Sequence, residues 1–294
     1  MKKIFITGAN GFIGKNLCEG LEGQYDIFSP SRNELNLLNE LDVKEYLKKN
    51  NFDVIIHCAT QNASRNAKEP LNLVLERNLR MFFNLERCSD YYGKMYYLGS
   101  GAEYDMENYI PFMNEEYFGK HIPKDGYGFS KYVMSKISEN KNNIYDLRLF
   151  GVYGKYEDWE IRFISNAICK SMYNLPITIK QNVYFDYLYI DDFIKIMKWF
   201  IENSPQCKQY NITTSNHIDL VSIAKVIRKE SGKDLSIIVK KEGLKKEYSG
   251  NNERLLKEIG GFAFSKLEDN IKKLILYYSS IKNDIDINKL KYDK

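Results

Sequence analysis

Residues Lys3–Gly14 read K-I-F-I-T-G-A-N-G-F-I-G, and the reading of this stretch decides the fold class. Lys3–Thr7 is a short apolar run suited to a buried strand. Gly8, Gly11 and Gly14 follow at a spacing of three, and Phe12, Ile13, Leu17 and Leu21 then recur at helical spacing. A strand, a glycine turn and a helix in that order make a seat for a pyrophosphate. Gly8 permits the tight turn, Gly11 lets the backbone approach the anion, and Gly14 lets the helix pack close to the strand. The unpaired amides of the helix start face the phosphates. The same spacing also serves as a structural turn without a ligand, so the surrounding pattern has to decide.

That pattern alternates. Tyr25–Ser29 reads as a second strand and Val43–Leu47 as part of a helix. Asp53–Ala59 is a third strand, Leu71–Cys88 a long helix and Lys94–Gly99 a fourth strand. Tyr127–Ser138 is a helix and Tyr145–Phe150 a fifth strand. Repeated strand–helix–strand units imply parallel strands with helices on both faces, because a parallel crossover needs a covering element. The expected class is α/β, a doubly wound parallel sheet with a dinucleotide site at its first turn. Beyond residue 150 the order loosens. Ile161–Met172, Asp191–Ile201, Leu220–Arg228, Arg254–Ile259 and Leu267–Tyr278 look helical. Ile177–Lys180, Tyr184–Ile190, Gln209–Ile212 and Leu235–Val239 look like strands. Residues 1–155 are therefore expected to form mainly the nucleotide-binding domain. Residues 156–294 are expected to form mainly a smaller substrate-binding α/β lobe, with some elements returning to the first. No linker divides the two, no internal repeat is visible, and the polar stretch Asn283–Lys294 is expected to fray.

Composition excludes several classes. Over 294 residues, 43 basic side chains stand against 39 acidic ones, a balance that argues against a dedicated nucleic-acid binder. No apolar run approaches ~18 residues, so no membrane span is expected, and the N-terminal run is too short for a secretory signal. The five cysteines are scattered without a C-x-x-C, and the three histidines lie far apart. A disulfide framework and a metal site are both unsupported. A reduced, cytoplasmic enzyme is the class left.

Two further stretches bear on chemistry. The end of the second strand reads Phe28-Ser29-Pro30-Ser31-Arg32-Asn33, with no acid to bond an adenine-ribose 2′-hydroxyl. Arg32 offers a planar fork for a 2′-phosphate, which favours NADP(H) over NAD(H); otherwise it is a solvated loop cation. Tyr-x-x-x-Lys occurs three times, at Tyr127/Lys131, Tyr132/Lys136 and Tyr278/Lys282. In a chain with 23 tyrosines the spacing alone decides nothing, but position does. Tyr127 lies near a helix start and 27 places after Ser100, which closes the fourth strand at the edge where ligands bind in such sheets. The i, i+4 spacing puts Tyr127 and Lys131 on one face. A nearby ammonium is expected to lower the phenol's pKa, so that Tyr127 exchanges a proton with a substrate oxygen while hydride moves. Ser100 is expected to orient that oxygen.

Together these residues resemble the extended short-chain dehydrogenase/reductase family, the NAD(P)-dependent nucleotide-sugar epimerases, dehydratases and reductases. The matching pieces are Thr7–Gly14, I-I-H-C-A at Ile55–Ala59, G-S-G-A-E-Y at Gly99–Tyr104, Y-G-F-S-K at Tyr127–Lys131, R-L-F-G-V-Y-G at Arg148–Gly154 and D-Y-L-Y-I-D-D at Asp186–Asp192. With S-R-N-E-L-N-L-L at Ser31–Leu38, the chain looks most like the GDP-L-fucose synthase-like nucleotide-sugar reductases. The resemblance implies that the cofactor is held by Gly8, Asn10, Gly11, Phe12, Ile13 and Gly14 of the turn. It adds Ser31, Arg32, Asn36 and Leu37 after the second strand, and Cys58, Ala59 and Thr60 after the third. Asn78, Leu98, Tyr127, Lys131, Phe150 and Val152 complete the set. Ser100, Tyr127 and Lys131 are the implied catalytic trio. Gln61, Gly101, Ala102 and Lys170 are the implied substrate contacts, with Asn62, Ser64, His121, Lys180 and Arg254 as weaker candidates.

Departures narrow the implied chemistry. The family's dehydratases carry Asp-Glu after the Ser/Thr, where this chain has Gly101-Ala102; Glu103 is one place too late. The fucose synthases use a Cys where Ala102 stands and a His near Arg162 to invert two carbons. The hydride-transfer trio is intact while these acid–base groups are absent. The expectation is an NADP(H)-dependent 4-ketosugar reductase of surface-polysaccharide synthesis acting as a homodimer. A nucleotide-sugar 4-epimerase with tightly bound NAD and a non-catalytic NADP redox sensor are the alternatives.

Overall fold

The computed structural model describes residues 1–64, 66–67 and 69–291. The first half runs β1 (Lys3–Thr7), α1 (Phe12–Leu21), β2 (Asp26–Phe28), α2 (Glu40–Asn50), β3 (Phe52–His57), α3 (Val74–Glu86), β4 (Tyr92–Ser100), α4 (Gly126–Ser138) and β5 (Ile144–Leu149). These strands and one later strand make a six-stranded sheet in the order β2-β1-β3-β4-β5-β9, where β9 is Gln209–Ile212. Every pairing in it is parallel.

Strand alternation explains why both faces are covered. Ile4, Ile6, Val54 and Ile56 point into one core with Leu17, Leu21, Phe193 and Phe200. Phe5, Ile55, Met95 and Tyr97 point to the other, against Val43, Leu47, Phe82 and Met134. The helices start where polar caps allow. The Asn39 side chain accepts from the Leu41 amide at 3.1 Å to open α2, and Asp125 accepts from the Gly128 amide at 2.8 Å to open α4.

The second half runs β6 (Gly151–Tyr153), α5 (Phe163–Met172), β7 (Ile177–Asn182), β8 (Tyr184–Tyr189), α6 (Ile190–Glu202), β9, β10 (His217–Asp219), α7 (Leu220–Glu230), β11 (Ile237–Leu244), α8 (Glu253–Ile259), α9 (Leu267–Ser280) and α10 (Ile287–Lys291). Two small sheets sit here, β10-β8-β6 and β11-β7. The three-residue strands β6 and β10 are absent from the sequence reading. β6 hides because one continuous stretch, Tyr145–Tyr153, crosses from the large sheet into a small one with only Phe150 between the two strands. The Leu71–Cys88 helix begins at Val74, after a 3₁₀ turn over Leu71–Leu73. The expected strand Leu235–Val239 starts and ends later, as β11.

The tail departs from expectation. Ile285 and Leu290 are buried in the main core, so the chain is fastened as far as α10 instead of fraying from Asn283. The last three residues of that stretch lie outside the described residues. Among the described residues no helix is long and apolar enough to cross a membrane.

Candidate active site

A cavity of about 700 Å³ opens along the C-terminal ends of β1, β3 and β4. Its floor is the glycine turn, Gly8 to Gly14, which includes Asn10, Phe12 and Ile13. Gly8 holds φ +66°, and a side chain at Gly14 would stand 2.3 Å from the Gly8 carbonyl oxygen. Neither position admits another residue without moving backbone. Helix α1 has no side-chain cap, so its first amides stay available to an anion. This cradle suits a dinucleotide pyrophosphate.

One end of the cavity is walled by Ser31, Arg32, Asn36 and Leu37, and its roof by Cys58, Ala59 and Thr60. The other end carries Leu98, Ser100, Tyr127, Lys131, Phe150 and Val152. Most of the expected cofactor contacts therefore meet in one space. Asn78 does not line it. Its side chain accepts from the Gln61 amide at 2.7 Å and donates to the Gln61 carbonyl at 3.1 Å, pinning the loop after β3.

Ser100 is set in place by a capping turn. Its amide donates to Glu103 Oε1 at 2.9 Å while its own hydroxyl accepts from the Ala102 amide at 3.2 Å. Glu103 is wholly buried and is held from behind by Arg148, whose Nε lies 2.9 Å from Glu103 Oε2 and 2.8 Å from Asp146 Oδ2. Arg148 also donates to the Tyr104 hydroxyl at 2.8 Å and to Ser135 Oγ at 2.7 Å. Two carboxyls face one guanidinium here. Burial, then the charge of Asp146, push the Glu103 carboxyl well above the usual range. Glu103 is thus a support beneath Ser100 and faces away from the cavity.

The expected lowering of the Tyr127 pKa is not what the geometry supports. Burial pushes the phenol up, and hydrogen bonding with Ser100 only partly offsets this. The Lys131 ammonium is 5.9 Å from the Tyr127 ring centre and donates to the Leu98 carbonyl at 2.7 Å. Burial lowers the Lys131 pKa, against the opposing pull of Glu103 and Asp146. Tyr127 therefore holds its proton at neutral pH. The phenol is thus in the protonated form that proton donation requires, while burial makes it a weaker acid than free tyrosine.

The substrate half differs more from the sequence reading. Gln61 and Asn62 line the cavity, but the Gln61 side chain donates to the Pro70 carbonyl at 2.7 Å and accepts from Arg77 at 3.3 Å. It is spent within its own loop. Gly101 and Ala102 are not lining residues, because the Tyr248 hydroxyl and the Phe150 ring cover Gly101. Lys170 is buried with its ammonium on Thr178 Oγ1 at 2.5 Å, away from the lining. Arg254 pairs with Glu116 and donates to the Gln209 carbonyl at 3.1 Å. Ser64, His121 and Lys180 also lie outside the lining.

In their place the cavity presents Glu157, Arg162, Phe163, Phe185 and Tyr187. Ser165 Oγ donates to Glu157, and burial pushes this carboxyl up to about 8 although the Arg162 charge draws it down. Neutral Glu157 is a hydrogen-bond donor at pH 7. Its folded pKa exceeds the ordinary 4.5, so the folded state keeps a proton that the unfolded chain releases. Stability from this group is present below about 4.5 and is lost as pH rises towards 8. Glu157→Gln should match the parent in thermal unfolding at pH 5. It should exceed the parent at pH 8.5 by up to about 4 kcal/mol. Equal differences at both pH values would overturn the assignment.

A sequence profile of the NAD dependent epimerase/dehydratase family matches residues 4–213. An ADP-L-glycero-D-manno-heptose-6-epimerase from Brachyspira hyodysenteriae is 26% identical, with 95% of this chain and 97% of that protein covered. A GDP-L-colitose synthase from Yersinia pseudotuberculosis is 24% identical, with 96% and 99% covered. Among solved structures, a GDP-mannoheptose C4 reductase from Campylobacter jejuni with NADP bound superposes with a TM-score of 0.82. It is 18% identical, with 95% of this chain and 98% of that one covered. The profile spans the glycine turn, Ser100, Tyr127 and Lys131, and on that match the chain is an enzyme belonging to the NAD dependent epimerase/dehydratase family.

Proposed function

We propose that the enzyme reduces the C4 keto group of a nucleotide-linked keto-deoxysugar with NADPH. NADPH, when bound, supplies the hydride. Tyr127, protonated at neutral pH, gives its proton to the carbonyl oxygen as that oxygen becomes a hydroxyl. Ser100 hydrogen-bonds the same oxygen from its capped position. Lys131 is held by the Leu98 carbonyl with its Nζ 5.9 Å from the Tyr127 ring centre, on the same helix face as the phenol. Neutral Glu157 donates to a substrate hydroxyl on the far wall. Relatives named for colitose synthesis and for GDP-mannoheptose C4 reduction support the substrate class.

The observation that carries reduction over dehydration or inversion is the pairing of an intact trio with the groups around it. Gly101 and Ala102 offer no acid or base after Ser100. Arg162, which lines the cavity, cannot give up its proton and so cannot act as a base. A homodimer through the outer faces of α3 and α4 belongs to the same proposal.

The test mixes purified protein with NADPH and GDP-, UDP-, CDP- or dTDP-linked 4-keto sugars and follows loss of NADPH absorbance. Stoichiometric oxidation with one nucleotide class is expected. Inversion at C4 of the matching 4-hydroxy nucleotide sugars, with no net NADPH consumption, would overturn the reading in favour of a C4 epimerase.

A further inference from the structure

We propose that Arg77 and Arg32 together form a two-guanidinium seat for the 2′-phosphate of the adenosine ribose, and that Glu69 fills this seat as a counter-ion when no phosphate is there. The inference rests on the NADP(H) reading and names the residues that would enforce it.

Position comes first. Arg77 and Met81 sit one turn apart on α3, and both line the cavity beside Leu37. Less than a turn beyond Met81, Asn84 Nδ2 donates to the Leu37 carbonyl at 2.8 Å. This face of α3 therefore looks at the loop after β2, the loop that carries Arg32. In the strand order, β2 is the edge farthest from β4, which ends at Ser100. The two arginines thus share the end of the cavity opposite the Ser100–Tyr127 end.

Contacts come second. Arg32 Nη1 lies 3.2 Å from Glu69 Oε1, and Arg77 pairs with the other oxygen of the same carboxylate. One carboxylate bridges two guanidiniums that come from separate elements. Arg77 is further steadied by Gln61 Oε1 at 3.3 Å. The nearby acid Glu34 is turned to the Ser31 amide at 2.7 Å and does not line the cavity.

Charge and mobility come third. Two arginines against one glutamate leave a net positive cluster. A phosphate monoester brings about −1.5 to −2 charge at pH 7 and three acceptor oxygens, and so meets two guanidiniums better than one carboxylate does. Glu69 sits on a loop with its side chain 43% exposed, whereas Arg77 is only 22% exposed on a helix. The carboxylate is the partner free to swing away.

The experiment measures affinity by calorimetry for adenosine 2′,5′-bisphosphate and adenosine 5′-monophosphate, neither of which needs turnover. The parent should prefer the bisphosphate. Arg77→Ala should weaken the bisphosphate about tenfold and leave the monophosphate little changed. Glu69→Gln, which keeps the loop's shape, should tighten the bisphosphate several-fold. Equal losses for both ligands in Arg77→Ala would overturn the proposal. So would a Glu69→Gln protein that loses monophosphate affinity, since Glu69 would then be holding a ribose hydroxyl. If Arg32→Ala abolishes the preference while Arg77→Ala does not, NADP(H) selectivity stands and the second arm falls. A parent with no preference would sink the NADP(H) reading itself.

Discussion

Tyr127→Phe is expected to lower turnover about 10²–10⁴-fold while cofactor affinity and the unfolding midpoint stay near the parent's. The substitution removes one oxygen and keeps the ring against its neighbours. The lost atom is the one whose proton the reductive step consumes. Ser100 retains its capping bonds to Glu103 and Ala102, so the turn that places it should survive. Because burial holds the phenol above its ordinary value, loss of the Tyr127 proton should not limit the parent's reductive rate at neutral pH, and a fall in rate near pH 8 should belong to Glu157 and vanish in Glu157→Gln. Stopped-flow measurement of NADPH oxidation with saturating keto sugar reads both effects. A Phe variant that keeps full turnover would remove Tyr127 from the chemistry. It would favour a protein that binds the cofactor and reports its state.

Arg148→Met is expected to cost about 3–5 kcal/mol of stability. Arg148, Glu103 and Asp146 are all wholly buried, and the single guanidinium answers both carboxyls. Without it, both buried carboxyls lose the guanidinium that faces them. The Tyr104 hydroxyl and Ser135 lose a donor as well. Folded stabilities of ~5–15 kcal/mol make such a loss large. Urea unfolding should show a lower midpoint with an unchanged slope. Replacing all three together, as Glu103→Gln, Asp146→Asn and Arg148→Met, should recover part of the loss, because the buried charges leave as a group. A single Arg148→Met variant with an unshifted midpoint would show that the carboxyls find another partner.

Much of the nucleotide half was readable because its signals are local. The glycine turn compresses strand, turn and helix into a dozen residues, and α1 begins at Phe12 as its periodicity says. Ser100 and Tyr127 were readable because a strand end and a helix start each place one residue at the sheet's edge. The substrate wall was not. Glu157 follows Gly154 in a turn with no periodicity, and only folding brings it beside Arg162 and Tyr187. Tyr248 reaches Gly101 from a loop nearly 150 positions away, one of many tyrosines with nothing in its neighbours to mark it. Lys170 read as a substrate contact only through the family resemblance, yet its stem is buried and its ammonium serves β7. Chemistry made by side chains distant in sequence leaves no spacing to read.

The place of β9 has a consequence for synthesis on the ribosome. Its residues Gln209–Ile212 pair with β5 residues Asp146–Leu149, so the large sheet waits about sixty residues for its last strand. Translation at ~5–20 residues per second keeps the β5 edge bare for several seconds, with more delay while the strand clears the exit tunnel. All six residues of that edge are buried in the finished molecule. A nascent chain halted anywhere in α5 or α6 presents an unpaired strand edge, the kind of surface that chaperones shield and that aggregation exploits.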